Sequence, residues 1–290
     1  MHSQHSIPLP HSEQPLVLGP KALVMGILNV TPDSFSDGGT HNLVEAAVAH
    51  ARRLIDEGAA IIDIGGESTR PGATPVPVQD ELDRVLPVID ALRTAGITIP
   101  ISIDTYKPLV ADQALQAGAN IINDVHGLQR FPEMAEVAVQ HDAPVVVMHW
   151  QPDRDPTRPL LDDMADYFAT TVTIAASAGL AADRLILDPG IGFAKSLAEN
   201  YEALRNLRFL RSDDVRIHAS APILVGTSRK SLIGKLLGNT AQERLAGTIA
   251  TNVIGYMNGG HIFRVHDVRA HSDALRVAQA TLYGPPEHLE

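Results

Sequence analysis

From residue 22 onward one unit repeats. A short β-branched apolar run ends in a polar residue, a loop follows, then a segment with helical spacing, then the next run. The runs are Ala22–Val30, Ala60–Gly65, Ile99–Asp104, Ile121–Val125, Pro144–His149, Arg184–Asp188, Ile223–Thr227 and Ile262–His266. Helical spacing predicts Leu43–Glu57, Val78–Thr94, Pro108–Ala117, Pro132–His141, Asp162–Ala178, Leu197–Arg211, Thr240–Met257 and Ala270–Leu282. Within Leu43–Glu57, the residues Val44, Ala47, Val48, Ala51 and Ile55 fall at three- and four-residue steps and make one apolar face. Gly58, Gly96, Gly118, Gly179 and Gly259 end helical segments, where glycine suits the left-handed closing residue.

Runs that read as continuous Val, Ile and Leu belong to strands covered on both faces, as in a parallel sheet. Eight of them alternating with eight helices predict one α/β domain over residues 21–290, a (β/α)8 TIM barrel. A doubly wound open sheet is the alternative. It expects fewer strands and a Gly-rich turn after the first, and no GxGxxG follows Val30. Residues 1–20 have no basic start and no continuous apolar stretch, so they read as a disordered or loosely attached tail, not a signal peptide. Gln151–Leu161, rich in Pro, Asp and Arg, reads as a surface crossing.

Composition narrows the function. Hydrophobic residues make up 44% and charged residues 20%, a globular balance. The net charge of −11 disfavours nucleic acid as a partner. The absence of cysteine excludes disulfides, thiolate metal sites and a Cys nucleophile. No run of eighteen apolar residues occurs, so no membrane span and a cytoplasmic location are expected.

In a parallel barrel the strand C-termini share one rim, and the site is built there. The predicted ends carry Asn29; Asp63 with Glu67, Ser68, Thr69 and Arg70; Asp104; Asn123 and Asp124; Met148 and His149; Asp188; Ser228, Arg229 and Lys230; Arg264 and His266. A purely structural barrel has no need of polar groups at all eight. Asp104, Asn123 and Asp188 can accept and donate along the edge of a flat, nitrogen-rich heterocycle, and a carboxylate takes two parallel N–H bonds from an amino-pyrimidinone. Lys230 can complement a ring carbonyl or nitrogen. Arg70, Arg264, His266 and the Ser228–Lys230 run concentrate positive charge where barrels commonly hold phosphate. Asn29 offers a hard oxygen for Mg2+, which takes few protein ligands beside water and phosphate. Each has a plainer reading: ion pairs for Asp104, Asp188 and Arg229, a satisfied core histidine for His266.

The segment from Met25 to Gly39, MGILNVTPDSFSDGG, and IIDIGGESTRPGA (61–73) resemble the two signature segments of the dihydropteroate synthase family. SIDTYKP (102–108), INDVHG (122–127), VVVMH (145–149), LDPGIGFAKS (187–196), GTSRKSLIG (226–234) and RVHDV (264–268) resemble its remaining motifs in order. The resemblance covers the chain from about Ala22 to Leu282. It implies a transferase of folate synthesis that joins p-aminobenzoate to 6-hydroxymethyl-7,8-dihydropterin diphosphate, with Mg2+ as cofactor and a homodimer as the assembly.

By position, Asn29 resembles the Mg2+ ligand. Asp104, Asn123, Asp188 and Lys230 resemble the pterin pocket, with Met148 and Phe193 as apolar walls. Arg264 and His266 resemble the diphosphate anchor, beside Asn29, Thr69 and Arg70. Phe35, Arg70, Pro71 and Ser231 resemble the p-aminobenzoate side. Lys230, Asp104, Arg264 and Asp37 carry the chemistry in this resemblance, Asp37 by stabilising a cationic methylene when residues 31–39 close as a lid. Tyr106 stands where the family has a small hydroxyl residue, and Trp150 where Met is common. The intact GGESTRPG implies ordinary sensitivity to sulfonamides. Two other classes remain open: a pterin-binding methyltransferase barrel, and a pterin-binding paralogue without turnover.

Overall fold

The computed structural model describes residues 2–31, 40–68, 74–211 and 221–286. The chain opens with an antiparallel hairpin of β1 (His5–Ile7) and β2 (Leu16–Leu18). Eight parallel strands follow: β3 (Leu23–Asn29), β4 (Ile61–Gly65), β5 (Ile101–Asp104), β6 (Ile121–Asp124), β7 (Val145–Met148), β8 (Leu185–Asp188), β9 (Leu224–Val225) and β10 (Ile262–Val265). Their order is β8-β7-β6-β5-β4-β3-β10-β9. The ends meet where Ile223 bridges Leu187 and the Leu187 N–H donates to the Pro222 carbonyl at 2.9 Å, which closes the barrel.

The helices are α1 (Thr40–Asp56), α2 (Val78–Thr94), α3 (Pro108–Gln116), α4 (Glu133–Gln140), α5 (Leu160–Ala178), α6 (Leu197–Arg205), α7 (Ser231–Leu237), α8 (Leu245–Met257) and α9 (Val268–Tyr283). The five glycines read as helix ends all take left-handed backbone, with φ from 76° to 112°. Two expectations shift. Leu197–Arg211 divides into α6 and a 3-10 turn at Leu207–Arg211, and α7 is an added short helix directly after the β9 loop. Among the described residues no helix is long and apolar enough to cross a membrane.

The period of two along each strand sorts side chains into two cores. Odd positions of β3 and their counterparts point inward: Leu23, Met25, Ile61, Ile121, Val146, Ile186, Leu224 and Ile262 fill the lower barrel. The alternate positions, such as Val24, Leu28, Ile62, Ile103, Val147 and Leu187, face the helices. Two residues further along four of the inward rows the chemistry changes from apolar to polar, at Asp63, Asn123, Asp188 and Arg264, while Ile27 and Met148 stay apolar. The polar site is thus the top layer of the same inward face whose lower layer is the plug.

The loose tail expected for residues 1–20 is corrected by this plug. Ile7, Leu9, Leu16 and Leu18 are buried in the same cluster as the lower barrel. The strands' N-terminal end leaves apolar side chains that need a cover, and the hairpin's alternate residues supply it. Arg184 donates to the Pro8 carbonyl at 2.6 Å and Asn120 to the Pro10 carbonyl at 2.7 Å. His11 bonds the Leu115 carbonyl at 2.8 Å, and His2 stacks on Tyr256 at 4.4 Å between ring centres. The alternation in the tail is only three residues per strand, too short to read as strand without the surface that it covers.

Candidate functional site

The top layer begins with Arg264 on β10. Its Nε donates to Asp63 Oδ2 at 2.6 Å, and its Nη2 donates to Asp104 Oδ2 at 2.6 Å. Asp63, the deepest-buried carboxylate of that layer, on β4, is wholly buried and also accepts from Asn123 Nδ2 at 3.3 Å. One carboxylate therefore braces two strands' worth of site residues. Asp63 stood among the polar strand ends in the sequence, but whether an inward carboxylate meets ligand or braces its neighbours depends on depth.

Asp104 is buried, and its Oδ1 has no hydrogen-bond partner among the described residues. A buried carboxylate oxygen left unbonded costs desolvation free energy that a ligand N–H would return. Burial pushes Asp104 up to about 7; Arg264 opposes this, while the carboxylates of Asp63, Glu81 and Asp124 add to it. Burial also works against the charge on Arg264, yet Asp63 and Asp104 hold it more firmly protonated than usual. A Cβ on Gly65 would lie 3.5 Å from the Asp104 Cβ and 3.8 Å from Asn29 Oδ1. At these ordinary contact distances Gly65 lies between the Asn29 amide and the Asp104 carboxylate.

Across the mouth stand Asp188 and Lys230. Asp188 ends β8 and accepts from the Gly190 N–H at 2.7 Å; burial raises it, with Lys230 countering. Lys230 precedes α7 and donates to the Ile191 carbonyl, its Nζ 4.6 Å above the Phe193 ring. Burial lowers Lys230 to about 8 against the pull of Asp188. Met148 and Phe193 join Tyr106 and Val125 in a separate apolar cluster at the rim, with Trp150 packed against it. The apolar cluster of Met148 and Phe193 reaches Lys230 through the Phe193 ring.

The two positions that depart from the family pattern extend this cluster. Trp150 stacks on His126 at 4.5 Å and leans toward Phe193 at 5.3 Å. Tyr106 donates to Glu67 Oε1 at 2.9 Å. Glu67 also accepts from Lys107 Nζ at 2.5 Å, and Lys107 donates to Glu81 Oε2 at 2.5 Å. This buried set anchors the start of the loop that follows β4.

The basic residues after β9 and β10 are assembled differently from the run of charges in the sequence. His266 Nδ1 bonds Ser228 Oγ at 2.9 Å, and the His266 N–H donates to the same oxygen at 3.1 Å, which joins the loops after β9 and β10. Arg229 turns away, in left-handed backbone at φ 56°, to pair with Asp267 at 2.5 and 3.0 Å. Its plainer reading as an ion pair holds. Ser231 is exposed at the start of α7, next to Lys230. Asp124 points outward and accepts from the His126 and Leu128 N–H groups, closing the loop after β6. Phe35, Asp37, Thr69, Arg70 and Pro71 lie outside the described residues.

Among the described residues no group of three or more His, Cys, Asp or Glu could hold a metal ion. Asn29 at the end of β3 offers an amide oxygen, a hard donor of the kind Mg2+ takes beside water and phosphate.

A model of the pterin-binding enzyme family matches residues 25–266. The dihydropteroate synthase of Escherichia coli strain K12 is 48% identical over 265 residues, covering 89% of this chain and 91% of that protein. The structure of Xanthomonas albilineans dihydropteroate synthase with 4-aminobenzoic acid is 45% identical, with a TM-score of 0.84 over 93% of this chain and 96% of that one. The Yersinia pestis dihydropteroate synthase in a sulfonamide drug complex is 44% identical, with a TM-score of 0.83 over 92% and 97%.

Proposed function

We infer how the site works from one premise: the chain belongs to the pterin-binding enzyme family, as a dihydropteroate synthase. It is a transferase of folate biosynthesis that condenses p-aminobenzoate with 6-hydroxymethyl-7,8-dihydropterin diphosphate, giving 7,8-dihydropteroate and diphosphate. The observation that carries our division of labour is the buried, unbonded Oδ1 of Asp104.

In this reading the pterin ring lies over Met148 and Phe193. Asp104, Asn123 and Asp188 take its N–H edge and Lys230 a ring acceptor. Arg264 and His266, with Asn29, Thr69 and Arg70, receive the diphosphate. Arg264 is already fixed at its Nε end by Asp63, so little reorganisation is needed as charge develops on the leaving oxygen. The C–O bond to diphosphate breaks and the arylamine nitrogen forms the new C–N bond, losing a proton to water. Asp104 and Asp188 balance the positive charge that spreads into the ring. Asn29 is the residue that would hold Mg2+, which when bound neutralises diphosphate charge. Phe35, Arg70, Pro71 and Ser231 form the p-aminobenzoate side and Asp37 attends the methylene. The same side is where we expect sulfonamides to compete.

We place a homodimer contact on α8 and α9. Ile254, Met257, Val277 and Leu282 expose 45–68% of their surface there, and an apolar groove runs between the two helices.

Calorimetric titration separates the two halves of the pocket. Asp104→Asn is expected to weaken binding of both 6-hydroxymethylpterin and its diphosphate by about 10²-fold, the scale of a charged hydrogen bond. Arg264→Gln also takes a partner from Asp104, so it is expected to weaken both ligands but to cost the diphosphate more, by the added loss of the diphosphate's own gain. Equal losses in both variants for both ligands would overturn the division.

A further inference from the structure

The turn after β8 carries three residues in left-handed backbone: Gly190 at φ 67°, Gly192 at 84° and Ala194 at 46°. An alanine there is strained, so neighbours must hold the turn in place. The packing is also tight, since a Cβ on Gly190 would fall 2.0 Å from the His149 carbonyl oxygen. The group that holds it is Lys195. Its Nζ lies 2.8 Å from His149 Nδ1, 3.1 Å from the Gly190 carbonyl, and 3.3 Å from the carbonyls of His149 and Phe193. The Asp163 carboxylate only accepts, so the ring proton sits on Nε2, and Nδ1 is left to accept from Lys195. Nε2 then donates to Asp163 Oδ2 at 3.1 Å, on the first turn of α5. Lys195, His149 and Asp163 thus form one chain from the turn through the end of β7 into a helix. Burial keeps His149 low, at about 4, so the imidazole stays a neutral acceptor.

The turn meets the site at three places. The Gly190 N–H fixes Asp188 Oδ1, the Ile191 carbonyl accepts from Lys230, and Phe193 belongs to the apolar cluster itself. We infer that Lys195 is a positioning residue for the pterin side of the site, setting Asp188, Lys230 and Phe193 together through this turn. The inference rests on the dihydropteroate synthase reading. Lys195 is not a catalytic residue in this account, because its Nζ is surrounded by His149 Nδ1 and backbone carbonyls of the turn and of His149.

The test is steady-state kinetics of the full chain with each substrate varied, together with the emission of Trp150, the chain's single tryptophan, 5.3 Å from the Phe193 ring. Lys195→Met is expected to raise the KM for the pterin diphosphate about tenfold or more, as loss of a supporting partner does. The KM for p-aminobenzoate should move less than about twofold, within ordinary scatter for an untouched contact. Trp150 emission of the ligand-free variant should shift, and Lys195→Arg should recover part of each change. His149→Gln keeps an amide donor that can face Asp163 but loses the ring nitrogen at the Nδ1 position beside Lys195. It should act in the same direction, and the double variant should be no worse than Lys195→Met. If Lys195→Met does not fold, His149→Gln carries the same KM comparison. A folded variant with wild-type pterin KM and wild-type emission, or with equal rises in both KM values, would overturn the proposal. A wild-type enzyme without turnover would instead overturn the functional reading, and the Trp150 shift would still decide the role of the turn.

Discussion

Asp104 ties binding to pH at the scale of one residue. Its folded-state value of about 7 lies well above the usual ~3.9 of an unfolded aspartate. The ionised form is the one that accepts ring N–H groups, so kcat/KM for the pterin diphosphate is expected to fall as pH drops through about 7. Stability moves the opposite way. The folded state holds this proton more tightly, so the contribution of Asp104 is fully present below pH ~4 and is lost as pH rises toward about 7. A pH–rate profile and thermal melts at matched pH values check both signs. In Asp104→Asn the acid limb from this group should vanish while the residual rate falls about 10²-fold. At this scale the identity of Asp104, Asn123, Asp188, Lys230, Arg264 and His266 was legible in the sequence, because each ends or follows an apolar run. Their partners were not. Arg229 sits in the same SRKS run as Lys230, yet it pairs with Asp267, and Asp63 looked like any other strand-end carboxylate until its depth was known. Lys195 had no signal beyond its motif, because its work is done on carbonyl groups that the turn brings to it.

At the scale of elements, the barrel's two ends do separate jobs. Leu18 is fully buried in the lower plug, far along the inward face from Asp104. Leu18→Ala is expected to destabilise the fold by about 2–5 kcal/mol, the range for buried leucines. The KM values for both substrates should stay within about twofold of wild type, as for any site with no shared partner. Denaturant melts and kinetics on one preparation decide it; a large KM change would mean that the hairpin reaches the rim. The eight strands were legible from their unbroken apolar runs. The hairpin was not, because three-residue strands carry almost no periodic signal and gain their stability only by covering Leu23, Met25 and Ile262. The short helix α7 was hidden for a related reason: SLIGKLL is seven residues, less than two turns.

At the scale of the whole molecule, the polar rim is one end of a closed barrel and the exposed apolar face of α8 and α9 lies to its side. Met257 is 49% exposed beside the groove between those helices. Light scattering is expected to give twice the chain mass of 31.1 kDa for the wild type and a single chain mass for Met257→Glu. A wild-type monomer would remove the dimer contact from the account. The central claim is the reaction itself, and one assay tests it most directly. The protein is mixed with 6-hydroxymethyl-7,8-dihydropterin diphosphate, p-aminobenzoate and Mg2+, and released diphosphate and 7,8-dihydropteroate are both counted. The account predicts equal amounts of the two products, formed only when p-aminobenzoate is present. Bound pterin diphosphate without dihydropteroate formation, under conditions where the protein is folded, would contradict it.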